Sequence, residues 1–189
     1  ETQTYEIIDD VAHMKSEIGL LYYNDFNRPV LEKLIHTNEL TFTELFTAHP
    51  HIFIGKTHPL ANKDVVSMDE LEDYPYISFE QGDHNSFYFS EEIFSTVVRP
   101  KHIRVRDRAS LFSLLLGLDG YTVSSGVIDK EVNGENIISV PLAEEGLMHI
   151  GYITNNKMQR SRLGQEYIQA LEQYVGNYGR HIQLPEDKK

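Results

Sequence analysis

Residues 44–61 read ELFTAHPHIFIGKTHPLA. The strand-like run Leu40–Phe46 ends inside this stretch, a second run His51–Gly55 follows, and Lys56–Pro59 turns the chain. Ile52, Phe53 and Ile54 are apolar without alternation, the pattern of a strand covered on both faces. Two strands in close succession, then a turn, predict a sheet here. His49 and His51 share one side of the strand by the period of two. A metal also needs a third ligand with outer-shell support, and nothing near them in sequence supplies one, so no metal is expected.

Upstream, Thr4 stands as an N-cap before Ile7, Ile8, Val11 and Met14 at helical spacing. The run Ile18–Tyr23 reads as a buried strand. Asn27-Arg28-Pro29 opens a helix whose stripe is Val30, Leu31, Leu34 and Ile35. Downstream, Ser67 and Glu70 form a capping box for a short helix ending near Tyr74, because Pro75 follows. Tyr76–Phe79 is a strand and Gln81–Ser86 a polar loop. Phe89, Ile93, Phe94 and Val97 are spaced for one face of a helix.

His102–Val105 is strand-like, Ala109–Leu118 a strongly apolar helix that Gly120 can close, and Tyr121–Val123 a buried strand ending in Ser124-Ser125-Gly126. After the Asn133-Gly134 turn come strands at Ile137–Leu142 and Leu147–Ile153. Leu163, Tyr167, Ile168, Leu171, Tyr174 and Val175 then mark a long amphipathic helix stopped by Gly176, with a frayed tail at Leu184–Lys189. Alternating strands and helices predict an α/β fold with largely parallel sheets.

The 189 residues suit one large domain or two small ones, and 40% apolar content permits a packed core. The formal charge is −12 and the Lys and Arg residues are scattered, so this surface repels phosphate backbones and does not hold DNA by itself. The absence of cysteine excludes disulfides, thiolate zinc sites and cysteine nucleophiles. It fits a reducing cytoplasm, and a secreted protein without cysteine equally. No apolar run approaches the roughly 18–20 residues of a membrane span, and the first residues lack a signal-peptide pattern. There is no Gly-x-Ser-x-Gly elbow, phosphate-binding Gly-rich loop or His-Glu-x-x-His helix. Catalysis and cofactors are therefore not expected.

His58-Pro59-Leu60-Ala61 at the end of the opening stretch resembles the LysR-type transcriptional regulators. So do Val66–Leu71 with Pro75-Tyr76-Ile77, Val105–Leu116 with Gly120–Val123, Val140-Pro141-Leu142, His149–Tyr152 and the helix Ser161–Val175, in that order. Each motif is loose; their order and spacing across nearly the whole chain carry the likeness. The resemblance implies a type 2 periplasmic-binding-protein fold: two Rossmann-like α/β lobes joined by two crossover strands, with a small-molecule effector in the cleft. Lobe I would be residues 1–44 plus 154–189, and lobe II residues 45–153. The N-terminal βα unit of lobe I, and the helix-turn-helix through which the regulator meets DNA, would lie outside this chain. Homodimers or tetramers, a cytoplasmic location and no membrane contact are further implications. The predicted helix Phe89–Val98 is a candidate dimer surface. Where the family has Gly-Leu-Gly and then apolar residues with proline, this chain has Ser124-Ser125-Gly126, which predicts a more polar wall.

Thr4 matches the family position at which a hydroxyl meets the ligand. A hydroxyl and open N–H groups at a helix start favour an anion, although Thr4 would serve equally as a simple cap. Gln3 adjoins it. Gln81, His84, Asn85 and Ser86 lie in a loop at the carboxyl end of a strand, where α/β proteins bind ligands, as do Ser124 and Ser125. The bland reading of both loops is polar surface with an N-cap. Asp107 reads as a helix cap, His58 as structural, and the acid pairs Asp9-Asp10, Glu91-Glu92 and Glu144-Glu145 as solvated faces. Two other functions share this fold: an extracytoplasmic solute-binding protein and a prephenate dehydratase-like enzyme.

Overall fold

A computed structural model describes residues 2–176 and 182–183; the tail expected to fray lies outside them. The chain forms two compact units, His49–Gly146 and Thr2–Ala48 with Leu147–Lys189. The sequence reading divides the lobes at 44/45 and 153/154. The contacts divide at 48/49 and 146/147, because the strands flanking the division stay paired along their full length within the discontinuous unit.

That unit contains α1 (Thr4–Ala12), β1 (Gly19–Tyr23), α2 (Arg28–Thr37), β2 (Leu40–Ala48), β8 (Met148–Asn155), α5 (Arg162–Gly176) and β9 (Ile182–Gln183). Its sheet has the order β1-β8-β2-β9, with β8 antiparallel to both β1 and β2. Ile8, Val11, Leu31, Ile35, Ile153 and Ile168 are buried, as the helical and strand periods predict. Asn155 is buried beside the end of α1 and donates to the carbonyls of Val11 (3.3 Å) and Ala12 (3.1 Å). Glu17 binds the amide and hydroxyl of Ser161, whose Oγ accepts from Gly164 N (3.0 Å), capping α5. Gly151 must be glycine: a Cβ there would overlap the Thr43 carbonyl oxygen and the Phe42 ring.

The contiguous unit holds β3 (His51–Gly55), β4 (Tyr76–Phe79), β5 (His102–Val105), α3 (Arg108–Gly117), β6 (Thr122–Ser124), α4 (Lys130–Asn133) and β7 (Ile137–Pro141). β3 is antiparallel to β6 and β7, β4 is parallel to β5, and a bridge Tyr76–Tyr121 sets β4 beside β6. The strands therefore run β5-β4-β6-β3-β7, four one way and β3 against them. The expectation of largely parallel sheets needs correction, since among the described residues β4–β5 is the one parallel ladder between named strands. β3 and β8 each enter their sheet from a strand of a different sheet, and not by the βαβ crossover that joins parallel neighbours within one sheet. Phe53, Ile77, Val105, Leu111, Leu115 and Ile137 form the core between the sheet and α3.

Local signals fared unevenly. Asp107 caps α3, accepting from Ser110 N at 2.8 Å. Glu70 returns its bond to Ser67 N (3.1 Å), but the helix it opens is a single 3₁₀ turn, Asp69–Leu71. The left-handed residue closing α3 is Asp119 (φ 49°) rather than Gly120, whose missing Cβ makes room for Ile77. The predicted helix through Phe89 and Val97 does not form. A 3₁₀ turn at Phe87–Phe89 is followed by turns, with Phe94 at φ 61°. Arg99 captures the carbonyls of Phe94 and Val97 (3.1 Å each) and lies 3.9 Å over the Tyr76 ring, holding the segment in its irregular path. The dimer surface expected there is therefore not a helix face.

The His-Pro-Leu turn has a clear physical basis. His58 is buried; its Nδ1 accepts from Leu60 N (3.1 Å) and its Nε2 donates to the Asp119 carbonyl (3.1 Å). One imidazole ties the turn after β3 to the end of α3, and it does so only when neutral. Burial lowers its pKa below the ordinary histidine value, against the smaller raising effect of Asp119.

Candidate ligand-binding site

β4 and β6 are neighbours, yet their exits diverge. From β4 the chain crosses to β5 at one edge, and from β6 it returns through α4 to β7 at the other. That divergence is a topological switch point, the place in an open α/β sheet where a crevice forms at the strands' carboxyl ends. Counting three residues on from the Tyr76–Tyr121 bridge brings Phe79 level with Ser124. The loops carrying Gln81–Ser86 and Ser124–Ser125 thus leave the sheet side by side.

A cavity of about 310 Å³ opens against β4 and β5, within the contiguous unit. This lies at the lower end of the roughly 300–1,000 Å³ of small-molecule sites. Of the residues predicted to meet ligand, Gln81, Asn85 and Ser86 line it, whereas His84, Ser124 and Ser125 do not. Gln81 is 2% exposed, buried at the start of the loop. Asn85 is exposed, and Ser86 caps the following turn by accepting from Tyr88 N at 3.4 Å. Ser125 turns its Oγ to Val127 N (3.3 Å), and Ser124 pairs with His51 in the β3–β6 ladder.

Thr4 and Gln3 belong to the other unit. Thr4 is buried as the first residue of α1, and Gln3 holds the cap position without a side-chain bond. The N-cap role expected of Thr4 is thus corrected by one residue.

The floor of the cavity is the sheet face opposite α3. Ile77, Val105, Phe79 and Ile103 face the core, so alternation turns Tyr76, Ser78, His102 and Arg104 to the other side. Ser78 Oγ and His102 Nε2 share a hydrogen bond of 2.7 Å. Burial, then Arg104 and Arg99, lowers the His102 pKa, favouring its neutral ring.

The wall holds a residue that the sequence reading placed in solvent. Glu92 is 4% exposed and its Oε1 accepts from Phe79 N at 2.8 Å. It supplies the partner that β4 lacks where β6 diverges. Burial pushes its pKa up to about 8; Glu91 adds to this, while the Phe79 bond and Arg99 oppose it. Near neutral pH this carboxyl is protonated, a hydrogen-bond donor inside a polar cavity. Glu144, read likewise as solvated, accepts from Met68 N at 2.8 Å. No sequence signal separates Glu92 from Glu91, since their neighbours read alike whichever acid turns inward.

Among the described residues no group of His, Cys, Asp and Glu could hold a metal, and no helix is long and apolar enough to cross a membrane. His49 and His51 turn ring nitrogens to backbone carbonyls, of Gly146 (3.1 Å) and His49 (2.8 Å).

Comparison with known proteins agrees with this architecture. Residues 1–176 match the LysR substrate binding domain, so the chain belongs to that family. Among solved structures it resembles HinK, a LysR family transcriptional regulator from Pseudomonas aeruginosa, at 15% identity and TM-score 0.59 over 92% of this chain and 57% of that one. It also resembles the effector binding domain of QuiR in complex with shikimate (16% identity, TM-score 0.59, 91% and 78% covered). A third likeness is to the BenM effector binding domain with its effector benzoate (17%, 0.58, 93% and 78%). These likenesses show the fold: two α/β lobes of the type 2 periplasmic-binding-protein kind. The chain spans little more than half the length of the Pseudomonas regulator. No curated protein matches it in sequence.

Proposed function

We propose that this domain binds a small metabolite without transforming it, and that the bound ligand changes how the whole regulator sits on its operator. The observation that carries this reading is the polar cavity at the carboxyl end of β4, lined by Gln81, Asn85 and Ser86, in a chain of the LysR substrate-binding family. We assign ligand contact to these three and to His84, Ser124 and Ser125 on the same two loops. In the other unit we assign it to Thr4 with Gln3, where a hydroxyl at a helix start favours an anionic group. Shikimate and benzoate, bound by QuiR and BenM, are both carboxylates and define the first compounds to try.

The regulator would act in the cytoplasm as a homodimer or tetramer and contact DNA through a separate helix-turn-helix domain. With a charge of −12, this domain is poorly suited to hold DNA alone. Switching requires the ligand to prefer one regulator conformation, since equal affinity for both shifts nothing.

The test is a thermal-shift screen of the domain against metabolites, including shikimate and benzoate, followed by operator footprinting with the full regulator and each hit. The reading predicts at least one compound that raises the melting temperature and alters the footprint. Chemical conversion of every binding compound, or no binding at all, would refute it.

A further inference from the structure

Resting on this ligand-sensing reading, we propose that the cavity against β4 and β5 recognises a small hydroxylated monocarboxylic acid, its carboxylate toward Arg104 and its hydroxyls toward Glu92 and the surrounding serines. Charge sets the first term. Arg104 is the lining cation, and among the described residues it makes no hydrogen bond or ion pair. Glu92 and His102 are neutral near pH 7, so the lining carries one positive charge and matches one carboxylate. Arg104 stands exposed at the cavity, so one carboxylate can pair with it while a second would face no other cation of the lining.

Hydroxyl groups are the second term. Ser78, Ser86, Ser90 and Ser95 contribute four hydroxyls, and Gln81 and Asn85 two amides. A serine hydroxyl has one donor and two acceptor positions. Ser95 donates to the Phe87 carbonyl (3.2 Å) and Ser86 accepts from Tyr88 N, which leaves each with capacity toward the cavity. Glu92 accepts on Oε1 from Phe79 N and is also bonded by its own backbone N–H, and as a neutral carboxyl it keeps a proton to donate toward a ligand oxygen. Such a lining recognises groups that both give and accept hydrogen bonds and penalises a purely apolar acid.

The geometry makes binding proton-linked. The charged and titratable groups around Glu92 are Glu91 beside it, Arg99 stacked on Tyr76, Tyr121 bonded to Arg99 (3.1 Å), and His102 and Arg104 on β5. The His102 pKa is lowered and the Tyr121 pKa raised by burial, so Glu92 is the one of these that loses its proton between pH 7 and 9. Its ionisation removes the donor and sets a negative charge against the ligand carboxylate.

The 189-residue chain is titrated calorimetrically with glycerate, gluconate and quinate. Hexanoate, an acid without hydroxyls, and sorbitol, a polyol without charge, serve as controls. At least one hydroxy acid is expected to bind at pH 7, at least about tenfold more tightly than either control, and Arg104→Met is expected to weaken it by about tenfold or more. Raising the pH to 9 is expected to weaken wild-type binding by up to about tenfold. Glu92→Gln removes the titrating carboxyl, so its affinity, whatever its value at pH 7, is expected to show no such loss between pH 7 and 9. Binding by none of the three acids, equal binding of hexanoate, indifference to Arg104→Met, or a pH loss that persists in Glu92→Gln overturns the assignment. A different metabolite that binds regardless of Arg104 overturns this ligand class and leaves the sensing reading standing; a domain that binds no metabolite ends both.

Discussion

Replacing His58 by alanine tests whether the imidazole is a structural tie, as its geometry requires. The ring satisfies Leu60 N–H and the Asp119 carbonyl, both at 3.1 Å, and rests against Tyr74 with centroids 4.4 Å apart. Orphaning a buried donor or acceptor costs roughly 1–3 kcal/mol, and removing the ring leaves a void, so a loss of about 3 kcal/mol follows. Asparagine, which can still accept from Leu60 N, recovers about half of it. Urea unfolding followed by circular dichroism measures this, since the chain has no tryptophan.

A second readout is pH. The folded pKa of His58 lies below the ordinary value of 6.5, so its stabilising contribution is complete above that value and is lost as pH falls toward the folded pKa. Protonation would set an Nδ1–H against the Leu60 N–H. The wild type should therefore lose stability more steeply than His58→Ala below pH 6.5, by at most about 1.4 kcal/mol per pH unit. An alanine variant within about 1 kcal/mol of wild type, or one with the same pH slope, would refute the tie.

Other expectations follow from single contacts. Gly151→Ala forces a methyl against the Thr43 carbonyl and should cost about 1–3 kcal/mol in thermal unfolding. Glu17→Ala uncaps α5 at Ser161 and should cost about 1–2 kcal/mol, with faster amide exchange confined to that helix's first turn. Gly126→Ala, at φ 83° with a Cβ 2.7 Å from the His51 ring, should destabilise more than Gly134→Ala, whose Cβ meets nothing within 4 Å; chemical denaturation of the pair compares them. Thr4→Val should weaken effector response by about 1–2 kcal/mol, and an unchanged titration midpoint would remove Thr4 from the site.

Much of the architecture was legible because it rests on local periodicity. The stripe of α2, the in-line apolar run of β3 and the Asp107 cap each survive in the structure. The failures are long-range. Phe89, Ile93 and Val97 have helical spacing, yet Arg99 takes the carbonyls of Phe94 and Val97, held there by Tyr76 on β4 and by Tyr121 just before β6, both more than twenty residues away. Strand direction at β3 and β8 depends on how the chain enters each sheet, which no apolar pattern encodes. In the candidate site, Gln81, Asn85 and Ser86 could be named from loop position alone. Glu92 could not, because its burial arises from a gap between β4 and β6 that exists only after folding.

The sheet order β1-β8-β2 carries a consequence for biosynthesis. β8 begins at residue 148, so the central strand of that sheet reaches its neighbours only after the whole His49–Gly146 unit has been translated. The contiguous unit can close as soon as it emerges from the ribosome, while β1 and β2 wait with unpaired edges. A nascent chain stalled before β8 should therefore hold one protease-resistant half and one open half.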